Sequence, residues 1–233
     1  MPFPFVNYAH RGASEYRPEN TLLSFYMGLS MGANGIETDV QRTKDGVLVL
    51  FHDDTLARVT GAEGSVCDYT FHQLQQLWVT KGSHRDKIPS LEDFLRHFAP
   101  FDLTFAIELK SAGVEEDTAN LLRKYHLEKK AIVTSFHFDF IKNFRRFAPE
   151  FQIGYLTKAT DDETIARLRS IGGEEICPMA ETLTPDLTQK WHGLGLRVRA
   201  WGVKNEELMR HVCACGSDGM TVNFPDKLTA FLA

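Results

Sequence analysis

The sequence predicts an α/β chain folded as a TIM (β/α)₈ barrel, and three observations carry that prediction. Short β-rich runs alternate with amphipathic stretches along the whole of the 233 residues, the pattern of a parallel sheet joined by helical crossovers. Nine such runs are strand candidates. The second and third are separated only by residues 42–46, whereas a parallel crossover needs about a dozen residues or more. These two must therefore form an antiparallel hairpin turned by Lys44, Asp45 and Gly46. Eight strands remain, and eight βα units in a chain of this length fit a barrel better than a Rossmann sheet.

Taken in order, the strand candidates cover residues 5–10, 36–41, 47–52, 103–109, 131–135, 152–156, 175–179, 196–201 and 219–222. Helical patterns follow many of them, among others at 21–31, 115–125, 139–147 and 206–213. The stretch 53–102, with short helical patterns at 72–77 and 91–98, is the largest departure from regular spacing. It is expected to be a small insertion over the C-terminal mouth of the barrel. One domain spanning 1–233 is the expected organisation, since 43% hydrophobic and 24% charged residues is ordinary globular composition.

The formal charge of -5 gives no broad cationic surface for a nucleic-acid backbone or an anionic membrane. A small anionic ligand stays compatible with it, because a local site can oppose the global sign. No apolar run approaches the roughly 18 residues of a membrane span, so stable membrane insertion is not expected. The opening MPFPFVNYAH lacks a basic segment followed by a sustained apolar run, and a cytoplasmic location is the expectation. Four scattered cysteines, with only Cys213 and Cys215 close together, match no zinc spacing and read as free thiols.

Active sites of TIM barrels lie at the C-terminal ends of the strands, so polar residues closing an apolar run matter most. Three strands end in this way, as VNYAHRG, GIETDV and TFAIELK. Side chains alternate along a strand, which sets Glu37 and Asp39 on one face and Glu108 and Lys110 on one face of their own strand. Ile36, Thr38, Val40, Ile107 and Leu109 then point toward the helices. Three inward carboxylates near a barrel mouth repel one another and lose hydration, so they call for a compensating cation. Oxygen ligands suit Mg²⁺, Ca²⁺ or Mn²⁺ better than Zn²⁺. A purely structural alternative pairs the same acids with Lys110 and Arg11.

His10 ends the first strand, and His52 ends the return strand of the hairpin, which brings it back toward the level of Glu37. Two histidines beside a carboxylate cluster can perform both halves of acid and base catalysis. Arg11 and Lys110 can offer fixed positive donors to the non-bridging oxygens of a phosphodiester. The remaining histidines read as surface or structural residues, although His137 also stands at a strand exit.

The segments AHRGASEYRPENT, IETDVQRTKDG, VLVLFHDDTLARVTG, IPSLEDFL, AIELK, SFHF, AWGVKN and SDGMTVNFP follow one another across nearly the whole chain. In that order and spacing the sequence resembles the glycerophosphodiester phosphodiesterase family. The resemblance implies a TIM barrel with one divalent cation, Mg²⁺ or Ca²⁺ with Mn²⁺ also compatible, on Glu37, Asp39 and Glu108. It further implies acid and base roles for His10 and His52, phosphate contacts from Arg11 and Lys110, and apolar pocket walls from Phe136 and Trp201. Glu19 would shape the first loop. The implied substrate is a small glycerophosphodiester, split into glycerol 3-phosphate and an alcohol. Action on lysolipid or phosphoinositide headgroups, or an inactive phosphodiester-binding module, are the alternatives. Two positions depart from the family's pattern: Asn223 stands where aspartate is common, and Gly202 where threonine is frequent.

Overall fold

The computed structural model describes residues 5–233, and the opening of the segment read for a leader lies outside them. The strands are β1 (Val6–His10), β2 (Gly35–Arg42), β3 (Leu48–Leu50), β4 (Val79–Lys81), β5 (His84–Asp86), β6 (Thr104–Leu109), β7 (Ala131–Ser135), β8 (Gln152–Thr157), β9 (Glu175–Pro178), β10 (Arg197–Val203) and β11 (Gly219–Val222). Eight of them form a closed parallel ring in the order β1, β11, β10, β9, β8, β7, β6, β2, with β2 returning to β1. As expected from the short connection, β3 runs antiparallel to β2, with Val40 opposite Leu50 and Arg42 opposite Leu48. The turn closes through bonds from Thr43 N to Val47 O and from Gly46 N to Thr43 O. Regular pairing stops sooner than the 47–52 run suggests, so His52 stands just beyond the strand.

Outward residues of the ring strands build the main core. Ile36 and Val40 on β2, Phe105, Ile107 and Leu109 on β6, and Val198 and Ala200 on β10 all pack there against the helices. Aromatic rings tie the helices down: Phe94 lies 4.8 Å from Phe25 and 5.9 Å from Phe105, both edge to face. Helix starts follow local chemistry. Thr21, Ser90, Asp161, Thr184 and Asn205 each accept a bond from a backbone N–H in the first turn of the following helix, satisfying donors that helix geometry leaves free.

The stretch 53–102 divides in two. Helix Leu91–Phe98 buries Leu91, Phe94, Leu95 and Phe98 in the main core, which makes it the barrel helix before β6. Residues before it gather around a smaller cluster that includes Val49, Phe51, Leu56, Val59, Leu74 and Ile88. That part holds a helical turn at Phe71–Leu74, shorter than the 72–77 pattern, and an unanticipated hairpin of β4 and β5. Lys81 Nζ donates to Ser14 O, and Leu23 N donates to Asp86 Oδ2. These bonds seat the hairpin against the loop leaving β1 and the first turn of the helix that follows it, Leu22–Ser30.

Candidate active site

The site begins where β1 ends. Arg11 and Gly12 both take left-handed backbone angles, with φ of 55° and 81°, so the chain turns sharply straight after His10. A side chain at Gly12 would overlap Ser24, which is why a glycine fits this turn. The turn lays Arg11 across the mouth. Its Nη1 donates to Glu19 Oε1 at 2.9 Å and its Nε stands 3.2 Å from Asp39 Oδ2. Asn20, next to Glu19, donates from Nδ2 to Asp39 Oδ2 at 2.8 Å and accepts from Thr38 Oγ1.

Register places the acids. Asp39 on β2 lies opposite Glu108 on β6, and one oxygen from each of Glu37, Asp39 and Glu108 falls within 4.8 Å of the others. Lys110 Nζ donates to Glu108 Oε1 at 3.0 Å. Both pairings of the structural alternative are thus present, but the balance does not close: Arg11 and Lys110 face three acids, and Arg11 is shared with Glu19. Burial, with the charges of Asp39 and Glu108 beside it, pushes the Glu37 carboxyl well above the usual range. Burial and Asp39 likewise push Glu108 to about 7, despite Lys110. Burial opposes ionisation of Asp39 as well, yet Arg11, His52 and Lys110 outweigh it and hold that carboxyl low. Asp39 Oδ1 is buried with no hydrogen-bond partner. A cluster of hard oxygen donors, short of positive charge and with one oxygen unengaged, fits a hard divalent cation.

The two histidines stand in different settings. His10 Nδ1 lies 2.6 Å from Asn223 Oδ1, which also accepts from Ser14 Oγ. With that carbonyl accepting, Nδ1 carries the proton, and Nε2 faces Glu37 Oε2 at 3.8 Å. Burial and then the charge of Arg11 push the His10 ring down to about 4, against the bond to Asn223. His52 Nδ1 instead lies 2.7 Å from Asp53 Oδ1. Arg58, in the turn Ala57–Thr60, donates to both Asp53 and Glu19. Its bonds are the chief reason the Asp53 carboxyl falls to about 2.

His10, Arg11, Glu37, His52 and Glu108 line one cavity of about 240 Å³ together with Phe136 and Trp201. The two aromatic rings meet edge to face at 4.9 Å, and the Trp201 indole donates to Thr157 O at 3.3 Å. Asp39 and Lys110 stand behind this lining, joined to it through Arg11 and Glu108. His137, next to Phe136, packs its ring at a tilt on Phe140 at the start of helix Phe138–Phe147 and does not itself line the cavity.

Residues 10–227 match the Glycerophosphoryl diester phosphodiesterase family. The chain belongs to that family. Among its relatives, the glycerophosphodiester phosphodiesterase of Caldanaerobacter subterraneus subsp. tengcongensis is 31% identical over 94% of each chain. That of Bacillus altitudinis is 30% identical over 94% of this chain and 95% of its own. The crystal structure of a glycerophosphodiester phosphodiesterase from Parabacteroides distasonis superposes with a TM-score of 0.84 at 26% identity, covering 100% of this chain and 98% of that one. An Oleispira antarctica phosphodiesterase in complex with the product sn-glycerol-3-phosphate superposes with a TM-score of 0.86 at 25% identity, covering 99% and 97%.

Within this phosphodiesterase family, the two departures now have a local account. Asn223 gives His10 a neutral acceptor in place of a carboxylate. Gly202 adopts φ of 76° beside a register shift between β10 and β11, a conformation that threonine takes only with strain. Sequence reasoning missed Leu156, Arg199 and Thr221, which line the cavity, Asn20 and Asp53, which bond the lining residues Arg11 and His52, and Arg58, which holds Asp53 and Glu19 behind them. Parity along the strand was the available signal for Arg199, which shares a face with Trp201.

Proposed function

We propose that this chain hydrolyses glycerophosphodiesters to glycerol 3-phosphate and an alcohol, using one divalent cation held by Glu37, Asp39 and Glu108. One observation carries the reading: two differently supported histidines and a charge-deficient carboxylate cluster meet at one cavity. When bound, Mg²⁺, Ca²⁺ or Mn²⁺ would supply a counter-charge and Lewis-acid polarisation of oxygen there. Arg11, and Lys110 behind Glu108, add fixed positive charge for the non-bridging phosphate oxygens.

His10, neutral and protonated on Nδ1, takes the proton of the attacking group on Nε2. His52, held by Asp53, gives a proton to the departing alcohol oxygen. The attacking group is the substrate's own free hydroxyl beside the esterified oxygen, already tethered near phosphorus. Water then opens the resulting cyclic phosphate while the histidines exchange roles. Phe136 and Trp201 wall the cavity against bulk water.

Release of glycerol 3-phosphate from glycerophosphocholine, measured before and after EDTA and again after each cation is restored, tests this reading. Full turnover by chelated protein would remove the metal from it. Choline release from lysophosphatidylcholine in preference to the soluble diester would assign the chain to lipid headgroups instead. Among the described residues no helix is long and apolar enough to cross a membrane.

A further inference from the structure

Beneath the acids and histidines, the barrel interior holds an ion pair that the reaction above does not use. Arg199 lies on β10 two residues before Trp201 and on the same inward face, one layer deeper. It is only 1% exposed. Nε donates to Glu175 Oε1 at 2.8 Å, and Nη2 lies 3.3 Å from Cys177 Sγ. The guanidinium also rests 5.1 Å from the ring centre of Tyr8, the inward residue one layer below His10 on β1. Nη1 has no hydrogen-bond partner, yet Arg199 lines the same cavity as His10, Glu37 and Trp201.

This arrangement is hard to explain as a device for stability. A buried ion pair gains little over well-packed apolar residues of the same volume, and an unengaged donor in a dry site is a further cost. An arginine that lines a substrate-sized cavity with one buried donor left over is accounted for by an acceptor that arrives with the substrate.

We infer that Arg199 is a specificity residue, whose Nη1 donates to the terminal hydroxyl of the glycerol half of the substrate at the cavity floor. The inference rests on the hydrolysis proposed above. Arg11 and Lys110, the cations suited to phosphate, follow the exits of β1 and β6, so phosphorus sits near the mouth. The departing alcohol varies in size and must point out through the opening. The glycerol half is constant, and it is the part a closed floor can accept. Its far end is a hydroxyl oxygen, an acceptor that a guanidinium N–H matches.

The test compares two substrates that both keep the hydroxyl next to the esterified oxygen: glycerophosphocholine, and the phosphocholine diester of propane-1,2-diol, which lacks only the terminal hydroxyl. Native enzyme should favour the first in kcat/KM by roughly 10- to 100-fold, the range of one hydrogen bond to a charged group. Arg199→Lys keeps a cation beside Glu175 but loses the second arm of the fork. Glu175→Gln combined with Arg199→Met removes the ion pair as a unit and avoids a stranded charge. Both variants should slow on the glycerol substrate alone, bringing the ratio near unity. Equal rates on the two substrates with native enzyme would overturn the inference while leaving the proposed hydrolysis intact. So would variants that slow both substrates alike. No turnover of either substrate by metal-loaded native enzyme would sink the proposed function and this inference together.

Discussion

The eight ring strands present two faces of opposite character. Outward, residues such as Ile36, Phe105, Ile107 and Val198 join helix residues in one continuous apolar core. Inward, the same strands carry Glu37, Asp39, Glu108, Glu175 and Arg199, all buried, and the apolar cluster of Val6, Tyr8 and Ala106 is small by comparison. Barrel interiors are commonly filled by layers of branched apolar side chains, so this one has given up part of that packing. The division is by parity: neighbouring residues on one strand face the apolar core and the candidate site in turn. Substitutions one position apart should therefore fail in different ways.

The largest separation is expected at the histidines. Replacing His10 or His52 with alanine should lower turnover roughly 10²- to 10⁴-fold while shifting the thermal midpoint little, the usual range for general acid–base residues. That corresponds to about 3–5 kcal/mol of barrier. Loss of bound cation from His52→Ala would instead make His52 a ligand. On the outer side, Phe98→Ala removes a fully buried ring packed on Phe25 and Phe94, and should cost about 3–5 kcal/mol of stability. Turnover per folded molecule should stay near native. A fall in that quantity to match the histidine variants would break the comparison.

The acids sharpen it through pH. With Glu108 raised from 4.5 to about 7, the folded chain keeps a proton that the unfolded chain has lost, so this group's stabilisation fades as pH rises through that window. Glu37 acts in the same direction. His10, lowered from 6.5 to about 4, works oppositely: its contribution is complete above 6.5 and is lost as pH falls toward 4. The opposing terms overlap between 4.5 and 6.5, and above that only the acids keep changing. Chelated protein should therefore melt progressively lower as pH rises above about 6.5, and added Mg²⁺ should raise the midpoint most on that alkaline side. Calorimetry with and without EDTA at two pH values decides this. A cation effect independent of pH would speak against the carboxylates as its seat.

The smallest effect is expected from the insertion. Arg58→Met should reduce kcat by roughly tenfold with KM little changed, the scale of support lost around a ligand or catalytic group. The Asp53 bond to His52 survives the change, which limits the loss.

Much of this was legible from the chain because the barrel strands are continuous apolar runs punctuated by charge. HRG, ExD and ELK each sit where such a run stops, and parity alone put Glu37 with Asp39. The hairpin of β4 and β5 was hidden because its residues, VTK and HRD, are short, mostly exposed and carry no alternation. The limits of the insertion blurred for a related reason: Leu91–Phe98 is a short helix, and only its burial in the main core marks it as part of the barrel. Arg199 went unnoticed because an arginine in a β run reads as a solvated residue. The alternation that turned Trp201 inward turned it inward as well.

The closing strand carries a consequence in time. β11 pairs with β1, and Asn223, just beyond it, holds His10 across 213 positions of sequence. Asn7 and Tyr16 reach the same region, through Pro225 and Asp226. A ribosome-bound chain that has not yet released residue 223 has already made Glu37, Asp39, Glu108, His10 and His52, but lacks the Asn223 carbonyl that holds His10 Nδ1. A fragment ending before β11 lacks this support for His10 and is expected to show little turnover, which an assay of a chain cut after residue 218 checks.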